Sequence, residues 1–139
     1  MNTKINLQNI LFLDIETIPE FEDWNLLSKE TQELFAQKTS YLRKDEISAS
    51  AFYKRAGIWA EFGKIISISV GYFIESENKK LRITSFSGDD EKHILLDFKN
   101  LLETHFNKKY HLLCAHNGKE FDFPFIARRM IIHQIQLPC

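Results

Sequence analysis

The sequence predicts an α/β fold, a mixed sheet flanked by helices. Three observations carry that expectation. Residues 10–15 (ILFLDI) form an apolar run on both faces, as a strand inside a sheet requires. Residues 65–74 (IISISVGYFI) and 81–87 (LRITSFS) flank the polar segment "ESENKK" as a hairpin. Helix, strand and helix patterns then alternate to the end of the chain, and a hairpin followed by βα units gives a mixed sheet with helical cover.

The elements follow in order. Ile18-Pro19-Glu20 ends the first strand. Residues 26–38 read as a helix with Ser28 as candidate N-cap and Leu27, Leu34 and Phe35 as its apolar stripe. Residues 48–56 read as a short helix stopped by Gly57. Trp59 and Phe62 read as packing residues ahead of the 65–74 strand. In "SGDDEKHILLDFKNLLETHF", Asp89 or Asp90 caps a helix whose Ile94, Leu95, Phe98, Leu101, Leu102 and Phe106 recur at helical spacing. Residues 110–115 (YHLLCA) read as a second buried strand, parallel and adjacent to the first at the sheet's centre. "HNGKEFD" is a turn, and residues 123–133 form a helix entered by Pro124.

Composition bounds the function. A length of 139 residues suits a single domain with a real core. Apolar residues make up 44% and charged residues 27%, as in globular proteins, and twelve Phe predict a Phe-rich core. The formal net charge of −1 excludes a basic protein that coats nucleic acid. Cys114 and Cys139 lack metal-ligand spacing, so Cys114 reads as a free, partly buried thiol. No stretch approaches a membrane span, and a reducing cytoplasm is the default compartment.

The chemistry concentrates in two places. Asp14 and Glu16 lie two apart in a strand, so their side chains project from one face while Ile15 points back into the core. Two close carboxylates repel unless a positive charge lies between them, and hard divalent cations favour carboxylate oxygens. The plainer reading is a strand that ends and lets its acids meet water. Asp122, in "AHNGKEFDFPFIARR", stands between a buried strand and a helix. It reads singly as an N-cap, and Phe121, Phe123 and Phe125 read singly as core. The two strand ends would meet where sites form in parallel sheets, which brings three carboxylates into one region.

"FLDIET" resembles the first motif of the DEDD 3′–5′ exonucleases, and "HNGKEFDFPFI" resembles their second. The likeness is to the proofreading domains of family B DNA polymerases and to bacterial stand-alone exonucleases resembling them, a group whose second strand "GKIISISVGYF" also fits. It runs from about Ile10 to Pro138. It implies a ribonuclease-H-like fold and removal of nucleotides from DNA 3′ ends with two divalent metal ions, Mg²⁺ or Mn²⁺. By the same match Asp14, Glu16 and Asp122 are the catalytic, metal-binding carboxylates. Thr17, Asn117 and Phe121 would contact single-stranded DNA or a DNA 3′ end, with RNA as another possible substrate.

The family's third motif, Tyr-x-x-x-Asp or His-x-x-x-x-Asp on a later helix, has no match, since no Asp or Glu follows Asp122. "YLRKD", Tyr41 to Asp45, has the spacing but precedes the second motif, and reads as a surface helix end. The resemblance thus implies one domain over residues 1–139, incomplete at its C-terminus and hydrolysing little alone. Two other readings stand beside it: a nucleic-acid-binding module of the same fold without catalysis, and an RNA-directed nuclease of the RNase H kind. Oligomeric state is not readable from the sequence.

Overall fold

A computed structural model describes residues 4–44, 47–75 and 78–138. Four strands, β1 (Ile10–Pro19), β2 (Gly63–Ile74), β3 (Lys80–Ser87) and β4 (Leu112–Cys114), form one sheet in the order β3-β2-β1-β4. β1 and β4 run parallel, with Ile10 opposite Leu112 and Phe12 opposite Cys114. β2 and β3 run antiparallel, with Gly71 opposite Ile83. The helices are α1 (Lys29–Thr39), α2 (Ala49–Phe52), α3 (Glu91–His105) and α4 (Asp122–Ile132). The mixed α/β architecture expected from the sequence is the one observed.

The chain divides into two compact units, Thr17–Lys64 and the remainder. In the larger unit β1 alternates from Leu11 to Glu16. Leu11, Leu13 and Ile15 are buried, while Asp14 and Glu16 are exposed. Leu13 meets Phe98 of α3 and Ile126 and Met130 of α4 around one apolar hollow. Asp90 is the N-cap of α3, its side chain accepting from the His93 N–H at 3.2 Å. Glu91, the next residue, turns inward and is held by Arg129 of α4, by His133, the residue that caps the end of α4, and by the Ile65 N–H of β2. Burial pushes the Glu91 carboxyl up, and the hydrogen bonds from Arg129, Ile65 and His133 outweigh it, so its pKa lies below the ordinary carboxylate value.

The smaller unit has its own aromatic core. Phe35 is fully buried, and its ring meets Trp24, Tyr53, Trp59 and Phe62 edge-on at centroid distances of 5.8, 5.5, 5.9 and 5.1 Å. Edge-to-face geometry sets the positive rim of one ring against the negative face of another. Trp59 and Phe62 therefore pack, as the sequence suggests.

Several expectations are corrected. The 110–115 segment is not buried: its strand is Leu112–Cys114, exposed at all three residues. The reason is its place at the sheet's edge, where β1 is its one strand neighbour among the described residues. Cys114 is accordingly exposed, not partly buried. The 26–38 helix starts at Lys29 behind Ser28, whose hydroxyl accepts from the Thr31 N–H at 3.2 Å. Leu34 is 54% exposed and outside the apolar stripe. The 48–56 helix is one α-turn followed by a 3-10 helix, Tyr53–Ile58. Gly57 in that helix touches the Ile18 backbone, 3.0 Å from where a Cβ would stand, so it is needed for close approach rather than for stopping a helix. The hairpin turn lies partly outside the described residues. Among the described residues no helix is long and apolar enough to cross a membrane.

We predict that Phe35→Ala costs about 3–5 kcal/mol of unfolding free energy, and Leu34→Ala less than about 0.5 kcal/mol. Urea denaturation of the two variants measures both. Equal losses would contradict the packing described.

Candidate metal centre

Register places this region. The β1–β4 pairing ends at Phe12 and Cys114. Beyond it β1 continues to Asp14 and Glu16, while β4 gives way to the turn of residues 115–121. Ligand sites in parallel sheets form beyond the carboxyl ends of neighbouring strands.

The turn is built by its own residues. Asn117 adopts φ 53, a left-handed conformation that Asn tolerates better than most residues. Its carbonyl accepts from the Glu120 and Phe121 N–H groups at 3.1 and 3.0 Å. Gly118 is buried, and a Cβ there would stand 2.7 Å from the Ala115 Cβ and 2.9 Å from the Phe123 ring. Only glycine lets the chain fold this tightly into α4.

Asp122 is the first residue of α4, not its N-cap; the N-cap position is Phe121, which makes no side-chain capping bond. The Asp122 carboxylate is 3% exposed and accepts from its own N–H and from the Ile15 N–H of β1. It thus reaches the stretch of β1 between Asp14 and Glu16. Burial raises its pKa above the ordinary Asp value, and the nearby Asp14 charge raises it further. The two backbone hydrogen bonds and His116 act in the opposite sense without cancelling these.

The structure therefore brings Asp14 and Asp122 together and sets His116 near them. Glu16 shares the exposed face of β1 with Asp14. Among the described residues, however, no three His, Cys, Asp or Glu side chains gather closely enough to hold a metal ion. Asn117 is exposed in the turn, and the half-buried Phe121 ring lies 5.5 Å from Phe125, tilted by 46°. Thr17 belongs to the smaller unit, where its hydroxyl donates to the Gly57 carbonyl at 2.6 Å. Tyr41 is 77% exposed just after α1, and Asp45 lies outside the described residues. His116 is the residue the sequence reading passed over; its signal was its place at the head of the "HNGKEFD" turn.

Carboxylate oxygens are the donors that hard divalent cations favour. Two carboxylates on a strand and a helix repel each other, and a cation relieves that repulsion. Mg²⁺ commonly takes one or two protein carboxylates and fills its remaining positions with water and phosphate oxygens. A shallow trough of about 410 Å³ adjoins Asp14, lined by Phe12, Ser69, Gly71, Phe73, Leu81 and Ile83.

The model of the RNase_H superfamily matches residues 55–139. The matched stretch holds Asn117, Phe121 and Asp122, and leaves out Asp14, Glu16 and Thr17. No curated protein matches the chain.

The raised pKa of Asp122 has a sign. Between the unfolded value, about 3.9, and the higher folded value, the folded state binds this proton more tightly. Stability contributed by the proton is lost as pH rises through that window. Asp122→Asn should therefore gain in melting temperature relative to the parent chain as pH rises from about 3 to 7. Thermal melts of both across that range decide it, and a pH-independent gap would count against the assignment.

Proposed function

The chain belongs to the RNase_H superfamily, and from that premise we propose that it is a metal-dependent nuclease, in its finer form a 3′–5′ exonuclease acting on DNA 3′ ends. One observation carries the reading. Asp14 stands on the exposed face of β1, and the buried Asp122 accepts a hydrogen bond from the N–H of Ile15, the next residue along that strand. Burying an acid beside another acid costs stability, and perturbed groups of this kind cluster at functional sites.

In this reading Asp14 and Asp122 hold a Mg²⁺ or Mn²⁺ ion, and Glu16, on the same face of β1, supports a second. Bound divalent ions supply activation of water and relief of charge on a phosphodiester. Asp14 and Asp122 would hold the cation that neutralises the phosphate oxygens. Glu16 would lie near the attacking water. Asn117 contacts the substrate strand, and the Phe121 ring offers a face for a base.

A second reading is favoured by a specific observation. Among the described residues no third His, Cys, Asp or Glu side chain gathers with Asp14 and Asp122. A module that binds nucleic acid without cutting it would share this geometry.

Two measurements test these readings. Mn²⁺ titration should show weak binding that Asp14→Asn and Asp122→Asn each reduce about tenfold or more. Unchanged Mn²⁺ affinity in Asp14→Asn would sink the metal centre. Digestion of a 3′-labelled single strand by the chain should be slow at ordinary enzyme concentration, dependent on Mn²⁺ and absent in Asp14→Asn. Strand binding with no cleavage would establish the module instead, and faster loss of RNA than of DNA would establish an RNA-directed enzyme.

A further inference from the structure

We propose that Glu91, Arg129 and His133 form a positioning cluster for Asp122, an ion network that fixes the rotation and axial register of α4 so that the Asp122 carboxylate meets β1. The functional part of this proposal rests on the metal-centre reading above; the geometric part does not.

The network joins three elements. Glu91, the first residue of α3, is 7% exposed. Its Oε2 accepts from the Ile65 N–H of β2 at 2.5 Å. Arg129 Nε donates to both Glu91 oxygens at 3.0 Å, and Nη2 donates to Oε1 at 2.6 Å. His133 Nε2 lies 2.6 Å from Oε1, and since an ionised carboxylate only accepts, that nitrogen carries the hydrogen. Arg129 is 2% exposed.

Helical geometry ties the network to Asp122. Arg129 lies seven residues beyond Asp122, and His133 four further. At 3.6 residues per turn all three fall within about 20° of one line along α4. A rotation that moved Asp122 off β1 would therefore pull Arg129 from Glu91. The separation from Asp122 to Arg129 is about 10 Å along the helix axis. At its own end α4 is held by the Ile15 N–H on the Asp122 carboxylate and by the Phe123 N–H on the Gly118 carbonyl at 2.9 Å, and the N-cap residue adds no side-chain bond. Apolar contacts through Ile126 and Met130 resist separation of the helix, but they lack direction and tolerate sliding. The forked bond of a guanidinium to a carboxylate does not.

Energetics point the same way. A buried ion cluster is commonly no more stabilising than apolar residues of equal volume. Its placement on the stripe of α4 that carries Asp122 gives it a role that stability does not.

The double variant Glu91→Leu/Arg129→Met removes both charges and keeps the volume, with Arg129→Lys as the conservative companion that keeps the charge and loses the fork. Melting temperature reports the fold. The Ile15 amide, which donates to Asp122, reports position through its NMR shift and hydrogen exchange. Mn²⁺ titration reports the site. The expected result for the double variant is a melting temperature near the parent's, a displaced and faster-exchanging Ile15 amide, and Mn²⁺ affinity lower by about tenfold. Arg129→Lys should recover part of both losses. A folded double variant with the parent's Ile15 amide and the parent's Mn²⁺ affinity overturns the proposal. If the double variant does not fold, His133→Asn decides: faster Ile15 exchange at an unchanged melting temperature supports positioning, and unchanged exchange overturns it. A parent chain that binds no Mn²⁺ would defeat the metal-centre reading, while the Ile15 amide would still judge the positioning of Asp122.

Discussion

The two-residue period of β1 is the constraint on which the rest of this molecule depends. Leu11, Leu13 and Ile15 anchor one face of the strand in the core, so Phe12, Asp14 and Glu16 have no choice but the other. A slip of one residue would bury both acids. The strand thereby does two jobs at once: the side chain of Ile15 fills the core, and its N–H binds Asp122. Core packing and site geometry share the same atoms, so neither can drift without the other.

Two buried acids show how environment separates structure from chemistry. Glu91 and Asp122 are both almost closed off from solvent. Glu91 is surrounded by a guanidinium, an imidazole and a backbone donor, and its pKa falls. Burial raises the Asp122 pKa, the Asp14 charge adds to the rise, and its backbone donors and His116 do not cancel it. The first acid is satisfied within the protein. The second is left wanting a positive partner, and groups in that condition are where proteins meet ligands.

Much of this was legible in the sequence, and the exceptions have physical causes. Alternation around Asp14 and Glu16, the β2–β3 hairpin and the heptad-like spacing of α3 are local patterns, and local patterns survive folding. The exposure of Leu112, Leu113 and Cys114 was not legible, because an apolar run looks the same at a sheet's edge as at its centre. Leu34 misled for a related reason: spacing places a residue on a helix but does not say how wide the buried stripe is. The pairing of Glu91 with Arg129 and His133 joins residues far apart in sequence, and no local rule links them. Asp122 stood out through its motif, but its hydrogen bond from Ile15 was not legible, since that residue lies on a distant strand.

The self-contained core around Phe35 bears on how the sheet assembles. β1 and β2 are sheet neighbours, yet the whole of Thr17–Lys64 intervenes between most of their lengths. Joining distant strands carries a loop-closure entropy that slows folding. Within the intervening segment, however, the Glu20 N–H donates to the Phe62 carbonyl at 2.8 Å, so its entry and exit are already side by side. Once that aromatic cluster condenses, the connection between β1 and β2 behaves as a short one. A chain that looks topologically slow on paper can then zip its central strands almost as a hairpin does.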